Sequence, residues 1–458
     1  MAKSSKRIER MDPVQQGFWV SSRLYATMKY FVPLRKKMIA LKKANQLTSW
    51  TPAIVNFKEW VDSHHEFKVR IERMLLEVGL FVKESSPEVL QEITDDGDYA
   101  KVLTLNDLYD HLNIIISSSP SFNDTVMVGT PMNGLLAIAM GTKTGSGTVD
   151  KKGHWVIKGL FQEPEFNAQL KKVLDSWNTY LKSEASLDLL DINDPEKDGS
   201  WISLEAHDAG VWSEMVYDPS KAAYGYDSWN SFFIRQFVNG ARPFRGNAKE
   251  VINIGCETTP WEYQDDVKFS ANFNVKGMPY SLIDIFGGDK HWANEFVGGQ
   301  IYQGFLSATH YHRWKAPLTG KIIQSWVQPG TYFAQRPGQG EDQGTWEGTE
   351  SQPYLSEVAT RAIFIMKHEK FGYVAMVCIG MVEVSTCHIE SQFIVPKGHK
   401  PVHIERGDEI GHFEFGGSTH ALIFQKDKAK LVTWAKKASQ FSNLAAPIQM
   451  GTVIAKLP

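Results

Sequence analysis

Cysteine is nearly absent from this chain. Cys256, Cys378 and Cys387 are the three among 458 residues, and no two of them form a Cys-x-x-Cys pair. An odd, scattered set argues against a disulfide framework or a zinc knuckle and points to a reducing compartment, the cytoplasm. Long apolar runs are missing too. The first sixteen residues are polar and mixed in charge, without the apolar core of a signal peptide. The most apolar stretch, 126–140, is too short to span a bilayer and contains Pro131 and Asn133, so it reads as a buried helix. Neither charge sign dominates. A formal net charge of −3 supplies no basic field for nucleic acid. The one short basic run, 34–43, reads as a solvated helix face that Pro33 interrupts, rather than a membrane-surface element.

The rest of the composition is that of a soluble globular protein, and the length asks for two domains or three. Apolar residues in the first half recur at helical spacing. Phe166, Leu170, Val173, Leu174, Trp177 and Leu181 form one stripe behind Pro164, and Leu105, Leu108, Leu112 and Ile115 form another behind a Thr104/Asp107 start. Ile54, Phe57, Trp60 and Val61, then Phe67, Ile71, Met74 and Val78, predict two helices broken near Ser63. Residues 141–153 are rich in Gly, Thr and Lys and read as a loop. They lack the Gly-x4-Gly-Lys-Ser/Thr spacing of a phosphate-binding loop. The acidic stretch 188–198 suits a boundary. From about residue 250 short apolar runs such as 363–366, 373–377 and 421–424 alternate with Gly and Pro turns, as in a β-rich unit. The expected fold class is α+β: an extension over 1–44, a helical domain over 45–190 and a β-rich catalytic domain over 191–458.

The densest chemistry lies near the C-terminus, in Gly407-Asp-Glu-Ile-Gly-His-Phe-Glu-Phe-Gly-Gly-Ser-Thr419. Gly416-Gly417-Ser418 predicts a sharp turn between two apolar strands. Gly417 lacks a side chain, so the Ser418 hydroxyl can approach the preceding carbonyl. Gly-Gly-Ser alone would heavily favour a plain glycine-rich hairpin turn. Three further blocks accompany it: Trp229-Asn-Ser-Phe-Phe-Ile-Arg235 with Arg242-Pro243, Val275-Lys-Gly-Met-Pro-Tyr-Ser-Leu282, and Tyr311-His-Arg-Trp-Lys-Ala-Pro-Leu-Thr-Gly320. Together, and in this order, the four blocks resemble the phosphatidylserine decarboxylase family over roughly residues 217–458. Pro52-Ala-Ile-Val-Asn-Phe-Lys-Glu-Trp60, with phrases around Phe333 and Met381, is similar to the soluble fungal tryptophan decarboxylase branch of that family.

The resemblance implies self-cleavage between Gly417 and Ser418, which turns Ser418 into a covalent pyruvoyl group. That group would bind the substrate amine as a Schiff base and act as an electron sink for loss of carbon dioxide. The family's self-cleaving triad of Asp, His and Ser maps onto Glu257, Lys315 and Ser418. An ammonium cannot accept a proton, so Lys315 would need a pKa depressed by burial, as in Ser-Lys systems. His310 or His420 is the alternative base. His312 matches the family histidine of the decarboxylation step and is the expected proton donor. His310-x-His312 lacks a third ligand at cupin-like spacing, so no metal is expected. The expected partner is a small-molecule substrate, a free amino acid and tryptophan first, with no nucleic acid. Two alternatives stand: phosphatidylserine as a membrane-lipid substrate, and a non-catalytic descendant that no longer cleaves.

Overall fold

Most helices in the first half begin where the sequence offers a proline or a cap; His65–Ser85, which follows His64, has neither. The computed structural model describes residues 30–47, 49–122, 130–150, 154–271, 279–306, 309–339, 352–383, 386–436 and 447–458. Its main helices are α1 (Val32–Lys43), α2 (Pro52–Ser63), α3 (His65–Ser85), α4 (Pro87–Ile93), α5 (Leu105–Ile116), α6 (Pro131–Met140), α7 (Pro164–Leu181) and the short α8 (Trp229–Phe233). Proline occupies the first turn of α1, α2, α4, α6 and α7, where its missing N–H costs nothing. In α5, Thr104 and Asp107 close a reciprocal capping box. The apolar stripes read from the sequence face inward, among them Ile54, Phe57 and Val61 of α2 and Phe166 to Leu181 of α7.

Two local expectations need correction. Pro33 does not interrupt the basic run: it lies in the first turn of α1, and Arg35 is buried against Asp107 at 2.6 Å. Residues 141–150 are not a loop. Lys143–Ser146 forms a helical turn, capped by Thr142, and Gly147–Val149 is a strand pairing with Trp155–Lys158 and Gly338–Gln339. A strand of three residues has no period to detect, and its partner strand at 338–339 lies far along the chain. Residues 151–153, like 126–129 of the apolar stretch and 275–278 of the second motif block, lie outside the described residues.

The second half is built on a seven-stranded antiparallel sheet. Its strands are β1 (Thr259–Asp265), β2 (Gln300–Leu306), β4 (Gly320–Gln328), β5 (Arg361–His368), β6 (Gly372–Val382), β8 (Val402–Ile404) and β10 (Gly417–Phe424), in the order β8-β4-β5-β6-β10-β2-β1. A three-stranded sheet places β9 (Glu409–Glu414) between β7 (Thr386–Ile389) and β3 (Arg313–Lys315). The central strands of the seven-stranded sheet are buried on both faces, with the two-residue alternation of a strand. Ala375, Val377 and Ile379 of β6 and Ala421 and Ile423 of β10 join one buried cluster with the helices. Val374, Met376, Cys378, Leu422 and Phe424 join a second with the smaller sheets. The fold is α+β, and helices and sheet share a continuous apolar interior.

Trp177 of α7 lies at the seam, 1% exposed, with its indole N–H donating to the Ser118 carbonyl at 2.9 Å. Trp177→Ala should destabilise the protein by about 3–5 kcal/mol, as for other buried large-to-small changes. Denaturant unfolding of the variant beside the wild type measures this. A cost within ~1 kcal/mol would show that α7 is not held there.

Candidate active site

The chain reaches Ser418 by crossing from one sheet to the other. β9 ends at Glu414, Phe415 and Gly416 make the bend, and β10 begins at Gly417. Gly416 has φ +131°, a backbone region that L side chains avoid. The positive-φ demand of the turn expected at Gly416-Gly417-Ser418 therefore falls on Gly416. Phe415 anchors the bend. Its ring meets Trp177, Trp229 and Phe233 edge-on, at centroid distances of 4.6, 4.8 and 5.5 Å. Glu414 adds a polar anchor, accepting from Lys182 at 2.7 Å and Asn178 at 2.8 Å. Burial alone would raise the Glu414 carboxyl, but its partners His412, Lys182 and Asn178 hold it well below the usual carboxylate range.

Ser418 is fully buried, paired across β10 with Gly380 on one side and Leu306 on the other. Its Oγ lies 3.5 Å from His312 Nδ1. That distance is long for a hydrogen bond but within the looseness that resting catalytic contacts show. His312 is also fully buried, and its ring stacks on Phe233 at 4.1 Å and 22°. The His312 carbonyl accepts from the Phe413 N–H at 3.0 Å, tying it to the strand that precedes the serine. On the opposite face of β10, Thr419 donates to the Gly304 carbonyl at 2.8 Å and accepts from Gln303, which accepts in turn from Tyr280. These bonds hold the register of β10 behind the serine.

The remaining sequence candidates are placed as follows. Lys315 donates to Glu409 at 2.9 Å, and Arg313 pairs with the same carboxylate. Arg313 and Lys315 thus share one strand face, and His312 with the buried Trp314 the other. Among the described contacts Lys315 has none to Ser418. Glu257 is bound by Arg242 in a two-pronged pair at 2.6 and 2.9 Å, not by a histidine. Arg242 also lies over the Phe237 ring, which stacks on Tyr311, the neighbour of His312. His420 is buried on the Ser418 face of β10, two residues on, and burial pushes its imidazole down to about 4. Half-buried His310 is likewise pushed down to about 4, by desolvation first and by Arg235 second. Gly417 sits in β10, where a Cβ would stand 3.3 Å from Val382 Cγ2.

Sequence reasoning missed the aromatic box. Phe233 and Trp229 were visible as motif residues, but nothing in their spacing shows that one ring touches both Phe415 and His312. It also missed Glu383, a buried carboxyl at φ +61° that accepts from the Asn133 N–H at the start of α6. Desolvation raises the Glu383 carboxyl well above the ordinary range.

A buried serine at a glycine bend, with an imidazole against its hydroxyl, has the parts of a nucleophile and a base. A family model described as phosphatidylserine decarboxylase matches residues 229–456, and a second phosphatidylserine decarboxylase model matches residues 51–209. The chain is 37% identical over 285 residues to "Decarboxylase iboD" of Amanita muscaria, covering 58% of this chain and 78% of that protein. It is 31% identical over 398 residues to "L-tryptophan decarboxylase" of Psilocybe cubensis, covering 82% of this chain and 84% of that protein. A "Phosphatidylserine decarboxylase proenzyme" of Pseudomonas fluorescens is 28% identical over 239 residues, covering 49% of this chain and 76% of that protein. The chain belongs to the phosphatidylserine decarboxylase family. It is a decarboxylase, a carboxy-lyase, from a family that is pyruvoyl-dependent.

Gly416→Ala should cost about 1–3 kcal/mol, because alanine must adopt the strained positive φ. Gly417→Ala should cost less, since it needs only a small shift of Val382. Thermal unfolding of both variants in the Ser418→Ala background, which removes any effect of cleavage, tests the order. The reverse order would place the demand on Gly417.

Proposed function

We propose that this chain cleaves itself between Gly417 and Ser418 to leave a pyruvoyl group at residue 418, and that His312 is the base for that step. The observation that carries the reading is the 3.5 Å approach of Ser418 Oγ to His312 Nδ1 within a fully buried site. In the first step His312 takes the hydroxyl proton as Oγ attacks the Gly417 carbonyl carbon. The Gly417–Ser418 C–N bond breaks, an ester to Oγ forms, and the freed Ser418 amine takes a proton. Loss of the residue 418 α-proton then expels Gly417 as a carboxylate and leaves a dehydroalanine. Water converts its enamine to a ketone with release of ammonia. The residues present fit this group: the serine is buried, the Gly416 bend leads into it, and the His312 imidazole lies against its hydroxyl.

Once formed, the pyruvoyl carbonyl supplies an electron sink for the bond to the substrate's carboxyl carbon. The chain's own residues bury the site and hold the proton donor. Phe233 and Phe413 lie against the His312 ring, at 4.1 and 6.4 Å, and in this reading His312 returns a proton to the substrate carbon. This reading moves the self-cleavage base from Lys315 to His312 and gives Lys315 to the Glu409 ion pair. Glu257 supports the site through Arg242, Phe237 and Tyr311.

For substrate we propose a free amino acid, an aromatic one first. The support is the likeness to "L-tryptophan decarboxylase" of Psilocybe cubensis over 82% of this chain, amino-terminal helices included. Among the described residues no helix is long and apolar enough to cross a membrane. Phosphatidylserine is the second reading, favoured by the match to the Pseudomonas fluorescens proenzyme.

Two outcomes follow. On denaturing gels Ser418→Ala should remain one chain, His312→Ala should cleave ~10²–10⁴-fold more slowly than wild type, and Lys315→Ala should cleave within about tenfold of it. Slow cleavage confined to Lys315→Ala would return the base to that residue. Given tryptophan, phenylalanine, tyrosine and micellar phosphatidylserine separately, the mature enzyme should release carbon dioxide fastest from one of the three amino acids. Turnover of the lipid alone would establish the second reading.

A further inference from the structure

Away from Ser418, two histidines and a glutamate converge across β7 and β9. His388 stands directly opposite His412 in the strand register, with ring centroids 4.6 Å apart. Glu390 follows two residues after His388, so it leaves on the same side, while Ile389 between them enters the core. One donor atom from each of the three lies within 4.8 Å of the other two.

His412 is the informative member. Its side chain is 10% exposed, and its Nδ1 is buried with no hydrogen-bond partner among the described residues. That nitrogen faces Glu390 Oε1 at 3.6 Å, too far for a hydrogen bond. Two ligands of one ion bonded at about 2.0–2.1 Å stand roughly 3.3 Å apart, close to this spacing. The other ring nitrogen faces Glu414 Oε1 at 3.9 Å, and Lys182 and Asn178 hold that carboxylate in place. A carboxylate behind one ring nitrogen favours the hydrogen there and leaves the lone pair on the other, as behind many metal-bound histidines. The exposed His388 side chain is free to close the remaining distance.

We propose that His388, Glu390 and His412 form a binding site for a first-row divalent cation, with Zn2+ as the expected occupant. Two imidazoles and one carboxylate suit Zn2+ or Co2+ and leave a further position open, whereas Mg2+ and Ca2+ favour oxygen ligands throughout. An ion there would clamp β7 onto β9, the strand that leads to Phe415 and the Gly416 bend. The proposal stands independently of the reading of Ser418.

The test is titration of untagged, chelator-stripped full-length protein with Zn2+, Co2+ and Mg2+, read by calorimetry, thermal unfolding and the visible absorption of Co2+. Zn2+ should bind with a single equivalent and raise the melting temperature. Co2+ should give the intense visible bands of a low-coordinate site, and Mg2+ should do neither. His388→Ala removes an exposed side chain and should keep the fold, yet weaken Zn2+ binding by at least ~10-fold. Glu390→Gln should weaken it as well, and His399→Ala, at an exposed histidine elsewhere, should bind as wild type. Absence of Zn2+ binding, or binding unchanged in both His388→Ala and Glu390→Gln, would overturn the proposal.

Discussion

The Phe233 ring is the constraint on which the site depends. One face of it lies against the His312 imidazole, and it meets Phe415 nearly edge-on, at 71°. Phe415 stands three residues before Ser418 and His312 is the side chain that faces it, so a single ring sets both approaches. Stacking fixes the plane of the imidazole, and the edge contact fixes where the chain bends. Together with the Phe413–His312 backbone bond, that shared contact brings a hydroxyl and a ring nitrogen together inside a buried interior.

The helical half of the chain is part of this frame. Trp177 of α7 closes one side of the box around Phe415, and Lys182 and Asn178 hold Glu414 one residue earlier. The bend is thus gripped twice, by apolar edges and by a charged pair, before the glycine turns it into the seven-stranded sheet. Burying Glu414 is costly unless its oxygens are bonded, and Lys182 and Asn178 bond them. Ser418 then faces the smaller sheets while Thr419 is tied down on the helical side. The serine can change chemically while the strand behind it keeps its bonds.

Much of the fold was legible in the sequence because helices announce themselves locally. Proline first turns, the Thr104–Asp107 box and three- and four-residue apolar spacing all act within one element. The 141–150 segment was not legible, since short strands are made by partners distant in sequence. At the site, Ser418 and His312 were legible as members of motif blocks, whereas their mutual contact was not. Motif spacing aligned Lys315 with the triad base, but which residue faces the serine is decided by strand alternation and by Glu409. Glu257 illustrates the same limit. Its partner Arg242 stood in plain view beside Pro243, yet a two-pronged pair is a three-dimensional fact. Which glycine of the pair takes the positive φ was not legible, because φ at Gly416 depends on where β9 ends.

The proposed chemistry requires that Ser418 be consumed by the chain that carries it. Intact-mass measurement of freshly purified wild-type protein under denaturing conditions tests this most directly. The predicted result is two chains, residues 1–417 and residues 418–458, the shorter one blocked to Edman sequencing and reactive toward a carbonyl reagent. A single unbroken chain of 458 residues that releases carbon dioxide from its substrate would contradict it.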